Sequence, residues 1–169
     1  VASSTRIEGV TLSDEEVHAL LRGVSTQGLE NRDAQEVAGY AALMQLIFDS
    51  WRELELTENH ILQLHQVMLE PSTADAGHRG AYKKRPNSIE AVDGQGRSLG
   101  ILLATTAPAA TQNETQALVA ETRAALQADE HHPILVIAAF AVRFLAIHPF
   151  QDGNGRLSRA LTTLLLLRS

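Results

Sequence analysis

Two apolar runs near the C-terminal end, Pro133–Ile147 and Leu157–Leu167, are joined by a stretch that no helix can pass through unbroken: His148-Pro149-Phe150-Gln151-Asp152-Gly153-Asn154-Gly155. Pro149 lacks the N–H that a helix ladder needs, and Gly153 and Gly155 leave the backbone free to curl. Leu157, Ala160, Leu161, Leu164, Leu165 and Leu167 recur at helical spacing, which predicts a second helix opening at Gly155 or Arg156. The chain must therefore fold as helix, loop, helix here. The unpaired N–H groups of the second helix face the loop.

That geometry is an anion site, because backbone donors and the positive end of a helix dipole point at the same place. Arg156 and Arg159 are three apart on one helical face, so both guanidiniums are expected to reach one polyphosphate. Asp152 offers oxygen to Mg²⁺, a cation that commonly travels on nucleotide phosphates. His148 is the one group in the loop suited to take a proton near neutral pH.

His148 to Arg159 resembles the HxFx(D/E)GNGRxxR signature of the Fic family at every defined position, and Pro133–Ile147 resembles the helix that carries it. The resemblance implies a mainly α fold, a Fic-type helical bundle with one β-hairpin flap. It implies transfer of AMP from ATP to a hydroxyl side chain of a target protein, with ATP as substrate and Mg²⁺ as metal. His148 would be the base and Asp152 the metal ligand. Gly153, Asn154 and Gly155 would cradle phosphate, and Arg156 and Arg159 would hold the outer phosphates. Phosphotransferase toxins of the family carry lysine where Gly155 stands, which disfavours that variant. Near the N-terminus, Ser4, Glu8 and Gly9 match the family's (S/T)xxxE(G/N) inhibitory motif. Residues 1–9 would then form an inhibitory helix whose Glu8 pairs with Arg159.

Read on local grounds, Ser3–Gly9 is a short helix closed by glycine. Thr11 to Glu16 carries capping oxygens and first-turn acids, opening a helix to about Val24. A third helix is expected over about Arg32–Trp51, with Val37, Tyr40, Ala41, Met44, Leu46, Ile47 and Phe48 on its apolar face and Gly39 where another helix comes close. Thr57 opens a fourth, ended by Pro71. His60 and His65 do not share a face and read as ordinary polar positions, as do His18, His131 and His132. Between Asp75 and Ala110 the helical period lapses, and Ser88–Val92 with Arg97–Leu102 read as a hairpin around Asp93–Gly96. In the family this region, about residues 82–104, is the flap along which a target docks by strand addition. Lys83-Lys84-Arg85 reads as a solvated loop, with phosphate or target contact as the alternative. Asn113 starts a helix to about Ala128, with Leu118, Val119, Thr122, Ala125 and Leu126 inward.

The apolar run Pro133–Ile147 is too short to span a bilayer and contains Arg143, so it is expected to be a buried core helix. A net charge of −6 argues against a general nucleic-acid surface. No cysteine is present, which is compatible with the cytoplasm. The 169 residues read as a single domain, a homodimer is compatible with it, and the abrupt helical ends suggest a longer parent protein. Two other activities stay open. One is the same fold using another nucleotide or removing AMP with Glu8 orienting water, and the other is a binding module held shut by Glu8.

Overall fold

In the computed structural model, residues 1–22, 31–95 and 97–169 are described. Among the described residues, seven helices and one hairpin follow in the order α1 (Ala2–Ile7), α2 (Asp14–Leu21), α3 (Arg32–Ser50), α4 (Glu58–Leu69), β1 (Ser88–Val92), β2 (Ser98–Ala104), α5 (Pro108–Ala128), α6 (Pro133–Ile147) and α7 (Asn154–Arg168). The expected end of α2 near Val24 lies outside the described residues. Among the described residues, no helix is long and apolar enough to cross a membrane.

Helix starts follow local capping chemistry. Ser13 and Glu16 bond each other's backbone N–H at the head of α2, a reciprocal arrangement that satisfies two orphan donors. Asn31 Oδ1 accepts from Asp33 N–H, and Thr57 Oγ1 accepts from His60 N–H. Helix α5 begins at Pro108, earlier than the expected Asn113. A proline is favoured at a first helical turn because the N–H it lacks has no helical acceptor there.

The core is built where α3, α4, α6 and α7 meet, around Leu43, Ile47, Leu64, Phe140, Phe144 and Leu161. Burying each such side chain contributes about 1.5–3 kcal/mol. Gly39 lets two helices touch, since a Cβ there would stand 1.9 Å from the Met68 carbonyl oxygen of α4. Helix α6 differs from the expected buried cylinder. Val136, Ile137, Phe140, Phe144 and Ile147 point inward, but Ile134, Leu135 and Val142 are 58%, 64% and 69% exposed. Apart from Arg143 its composition is apolar, so which stripe is covered depends on its neighbours. Phe48 of α3 likewise faces outward.

β1 and β2 pair antiparallel with Ser88 opposite Ala104 and Val92 opposite Ser98, and two irregularities interrupt the register. Asp93 closes the turn by accepting from Gln95 N–H and Arg97 N–H through Oδ1. Gly96 lies outside the described residues. Leu99, Ile101 and Leu102 are exposed on β2.

Candidate active site

Helix α6 ends where His148 turns into the left-handed region at φ 53°, its N–H still donating to Phe144 O. A bond of 3.2 Å joins His148 Nδ1 to Leu145 O. A carbonyl can only accept, so Nδ1 carries the proton and Nε2 keeps its lone pair. Burial pushes the imidazole pKa down. The bond to Leu145 opposes this, the Lys83 charge adds to it, and Glu8 and Asp152 act upward. His148 is thus a neutral base at neutral pH.

The loop that follows is held from within and from behind. Asn154 Oδ1 accepts from Phe150 N–H at 2.9 Å, and its Nδ2 donates to Phe150 O at 2.8 Å. Its side chain therefore staples the loop, which leaves its backbone N–H as the group it offers at the head of α7. Phe150 is fully buried and stacks on His65 with ring centroids 3.8 Å apart. Sequence spacing marks His65 as an ordinary polar position, yet the fold buries it fully. Its Nδ1 accepts from Gly80 N–H, so Nε2 bears the proton it donates to Asp152 O at 3.0 Å. Burial drives its pKa down to about 4. Gly153 adopts φ +80°, and a Cβ there would come within 2.5 Å of Met68 Cε. The positive φ is what favours glycine here, since the methionine tip is flexible and can give way.

Helix α7 begins at Asn154, one residue before the earlier of the two expected starts. Its two arginines part company. Arg156 is 2% exposed and turns into the protein, with Nη1 3.0 Å from Glu36 Oε2 of α3 and Nη2 3.4 Å from Asp152 Oδ2. The expected shared reach of Arg156 and Arg159 toward one polyphosphate is not what the fold builds. Glu36 is buried on α3, and its carboxylate is shared between two cations, with Oε1 accepting from Arg32 Nε at 2.9 Å and Oε2 facing Arg156. Asp152 Oδ2 also accepts from Arg32 Nη2 at 3.2 Å, and its Oδ1 accepts from Gly153 N–H.

Arg159 faces the other way, toward α1. Its Nε donates to Ser4 Oγ at 3.2 Å, and its Nη2 donates to Ser4 O and to Glu8 Oε1, both at 2.8 Å. Ser4 Oγ also accepts from Tyr40 OH. The Glu8 carboxylate lies directly over the head of α7, since a Cβ on Gly155 would meet Oε1 at 2.2 Å. Glu8 and Gly9 are exposed, and Gly9 turns the chain away from α1 at φ +95°. Ser4, Glu8, Gly155 and Arg159 thus meet in space although the chain separates them widely.

Asp152 is the residue here that could hold a divalent cation. One partly exposed carboxylate suits Mg²⁺ arriving on a nucleotide, which takes one or two protein oxygens and fills its shell with phosphate and water. Among the described residues, no group of three or more histidines and carboxylates could hold a metal ion alone. The chemistry available is proton removal at His148 Nε2, next to an anion-binding helix end already occupied by a carboxylate.

The Fic/DOC family model matches residues 55–166, which takes in the hairpin and the loop but not α1. Over 170 positions the chain is 29% identical to the protein adenylyltransferase Fic of Drosophila virilis and 28% identical to that of Drosophila grimshawi. These matches use 98% of this chain and 32% of each relative, so the chain spans about a third of the length of the curated relatives it matches. Among solved structures, a Fic domain containing signaling protein from Bacteroides thetaiotaomicron superposes with a TM-score of 0.80 at 29% identity, covering 98% of this chain and 60% of that one. Fic-1 from C. elegans gives a TM-score of 0.69 at 26% identity, covering 98% of this chain and 46% of its own.

Proposed function

Because the chain belongs to the Fic/DOC family, we propose that it transfers AMP from ATP to a hydroxyl side chain of a target protein, and that Glu8 restrains the reaction. The observation that carries this reading is the pairing of a neutral imidazole with an anion-binding helix end across one loop. The relatives named protein adenylyltransferase support the choice of reaction.

His148 Nε2 takes the proton of the target hydroxyl as that oxygen attacks the α-phosphorus. The bond from the α-phosphorus to the bridging oxygen breaks, and pyrophosphate leaves with the electron pair. General-base assistance of this kind contributes about 10²–10⁴-fold. The first-turn N–H groups of α7 and its dipole hold developing negative charge without reorganising. Asp152 would hold Mg²⁺, which when bound neutralises phosphate charge. The stapled loop of Phe150 and Asn154, backed by His65, keeps these groups in one geometry. The exposed edge and apolar side chains of the hairpin suit a target segment added as a strand.

Glu8 supports the restraint in two ways. It occupies Arg159, and it puts a negative charge at the helix end where a phosphate would bind. Transfer is tested with the Glu8→Gly variant in lysate, using ATP labelled at the α- or the γ-phosphate. Protein labelling from the α position alone is the expected result. Labelling from the γ position, or none from either, refutes AMP transfer.

A further inference from the structure

One buried charge enters the chemistry above only through its effect on the His148 pKa. In the basic run Lys83-Lys84-Arg85, the last two are exposed as a solvated loop would be, but Lys83 is 3% exposed. Its ammonium has three protons, and three acceptors take them: Asn87 Oδ1 at 2.8 Å, Thr105 Oγ1 at 2.9 Å and Ile147 O at 3.0 Å. Asn87 precedes β1 and Thr105 follows β2, so these are the two legs of the hairpin. Ile147 is the last residue of α6, adjacent to His148.

The surrounding backbone repeats the tie. Lys83 N–H donates to Pro149 O at 2.9 Å, Asn87 Nδ2 donates to Phe150 O at 2.9 Å, and Thr106 N–H donates to Ala146 O. Both legs of the hairpin and Ile147 therefore converge on the Lys83 side chain, and neighbouring bonds tie the same two legs to the residues flanking His148. Burial pushes the Lys83 pKa down to about 8, a cost that an uncharged spacer of similar length avoids. Its protonated form still dominates at neutral pH, where all three acceptors are matched.

We propose that Lys83 is a positioning residue for His148, holding both hairpin legs and the end of α6 in one register and placing a positive charge beside the imidazole. A target segment lying along the hairpin would then bring its hydroxyl to a set distance from Nε2. This rests on His148 being the base. Three charges bear on that imidazole. Lys83 favours its neutral form, while Glu8 from α1 and Asp152 from the loop favour its charged form.

The test uses the Glu8→Gly background, in which transfer is released. Lys83→Met keeps the aliphatic stem and removes the charge. Its expected effects are an upward move of the His148 ring titration read by NMR, a matching move of the acid limb of the kcat/KM profile, and a fall in kcat of about ten- to hundredfold with the Kd for ATP unchanged. Lys83→Arg, which keeps the charge, should return the titration to its parental position. A lysine that merely fills space would lower Tm and kcat while leaving the His148 titration where it was, and that outcome overturns the proposal. If Lys83→Met does not fold, as judged by circular dichroism, Thr105→Val replaces it and removes one hairpin leg while keeping the charge. Faster amide exchange across β1 and β2 with lower kcat then supports the tie, and unchanged exchange and kcat refute it. The titration needs no turnover, so an absence of AMP transfer would refute the proposed function without deciding this outcome.

Discussion

Removing the Glu8 carboxylate is the perturbation with the most direct reading. The pair it makes with Arg159 is 2.8 Å long, and its side chains are 32% and 29% exposed. Fully exposed pairs contribute about 0–1 kcal/mol and hydrogen bonds to buried charges about 1.5–3 kcal/mol. A pair between these limits is worth about 1–2 kcal/mol. At about 1.4 kcal/mol per factor of ten, this predicts a gain in kcat/KM for transfer of about 5- to 30-fold on Glu8→Gly. Arg159 keeps its two bonds to Ser4 in that variant, so the guanidinium stays aimed at the head of α7. Glu8 is the C-cap residue beyond Ile7, so a glycine there carries no helix-interior penalty. Glu8→Gln isolates the charge, because it keeps the length and a hydrogen-bonding oxygen. Glu8→Asp should fall between parent and glycine, and adding Arg159→Ala should cancel most of the gain, since the released partner is then missing. The assay is initial-rate transfer of α-labelled AMP with the Kd for ATP measured alongside. Equal rates for parent, Glu8→Gly and Glu8→Gln would show that Glu8 is an ordinary helix-end residue.

His148→Ala should abolish transfer and leave ATP affinity intact, and because burial lowers the imidazole pKa, activity in the parent should rise with pH at values below 6.5 and be flat near neutrality; loss of ATP binding, checked by calorimetry, would argue against the base assignment. His65 is neutral when folded down to about pH 4, whereas in the unfolded chain it protonates near 6.5. The unfolded state thus binds more protons in that window, and stability should fall by roughly 2–4 kcal/mol between pH 6.5 and 4. Thermal melts of His65→Gln should show a shallower acid loss than the parent, and parallel losses would refute this. Gly39→Ala should push α3 away from the α4 backbone, costing about 1–3 kcal/mol and lowering Tm by roughly 2–12 °C, as read by calorimetry. An unchanged Tm would mean that the helices separate freely.

What could be read directly from the chain was whatever depends on near neighbours. The break at Pro149, the glycine turn, the cap at Thr57, the hairpin and the close approach at Gly39 all rest on properties of one residue or a few adjacent ones. The meeting of Glu8 with Arg159 was legible for a different reason, since two short motifs each named one partner. Burial and long-range pairing were not legible. Residues 87 apart join His65 to the Asp152 carbonyl, and residues 64 apart join Lys83 to Ile147. Nothing in the local pattern around either side chain separates a buried anchor from a solvated one. Arg156 and Arg159 look equivalent on a helical face, but Glu36 from α3 claims one and Ser4 with Glu8 from α1 claims the other. Helix α6 is apolar apart from Arg143, so its covered stripe was decided by where α5 and α7 lie against it. Local backbone preferences act over a few residues, whereas the dielectric around a charge depends on the atoms that the whole fold packs around it.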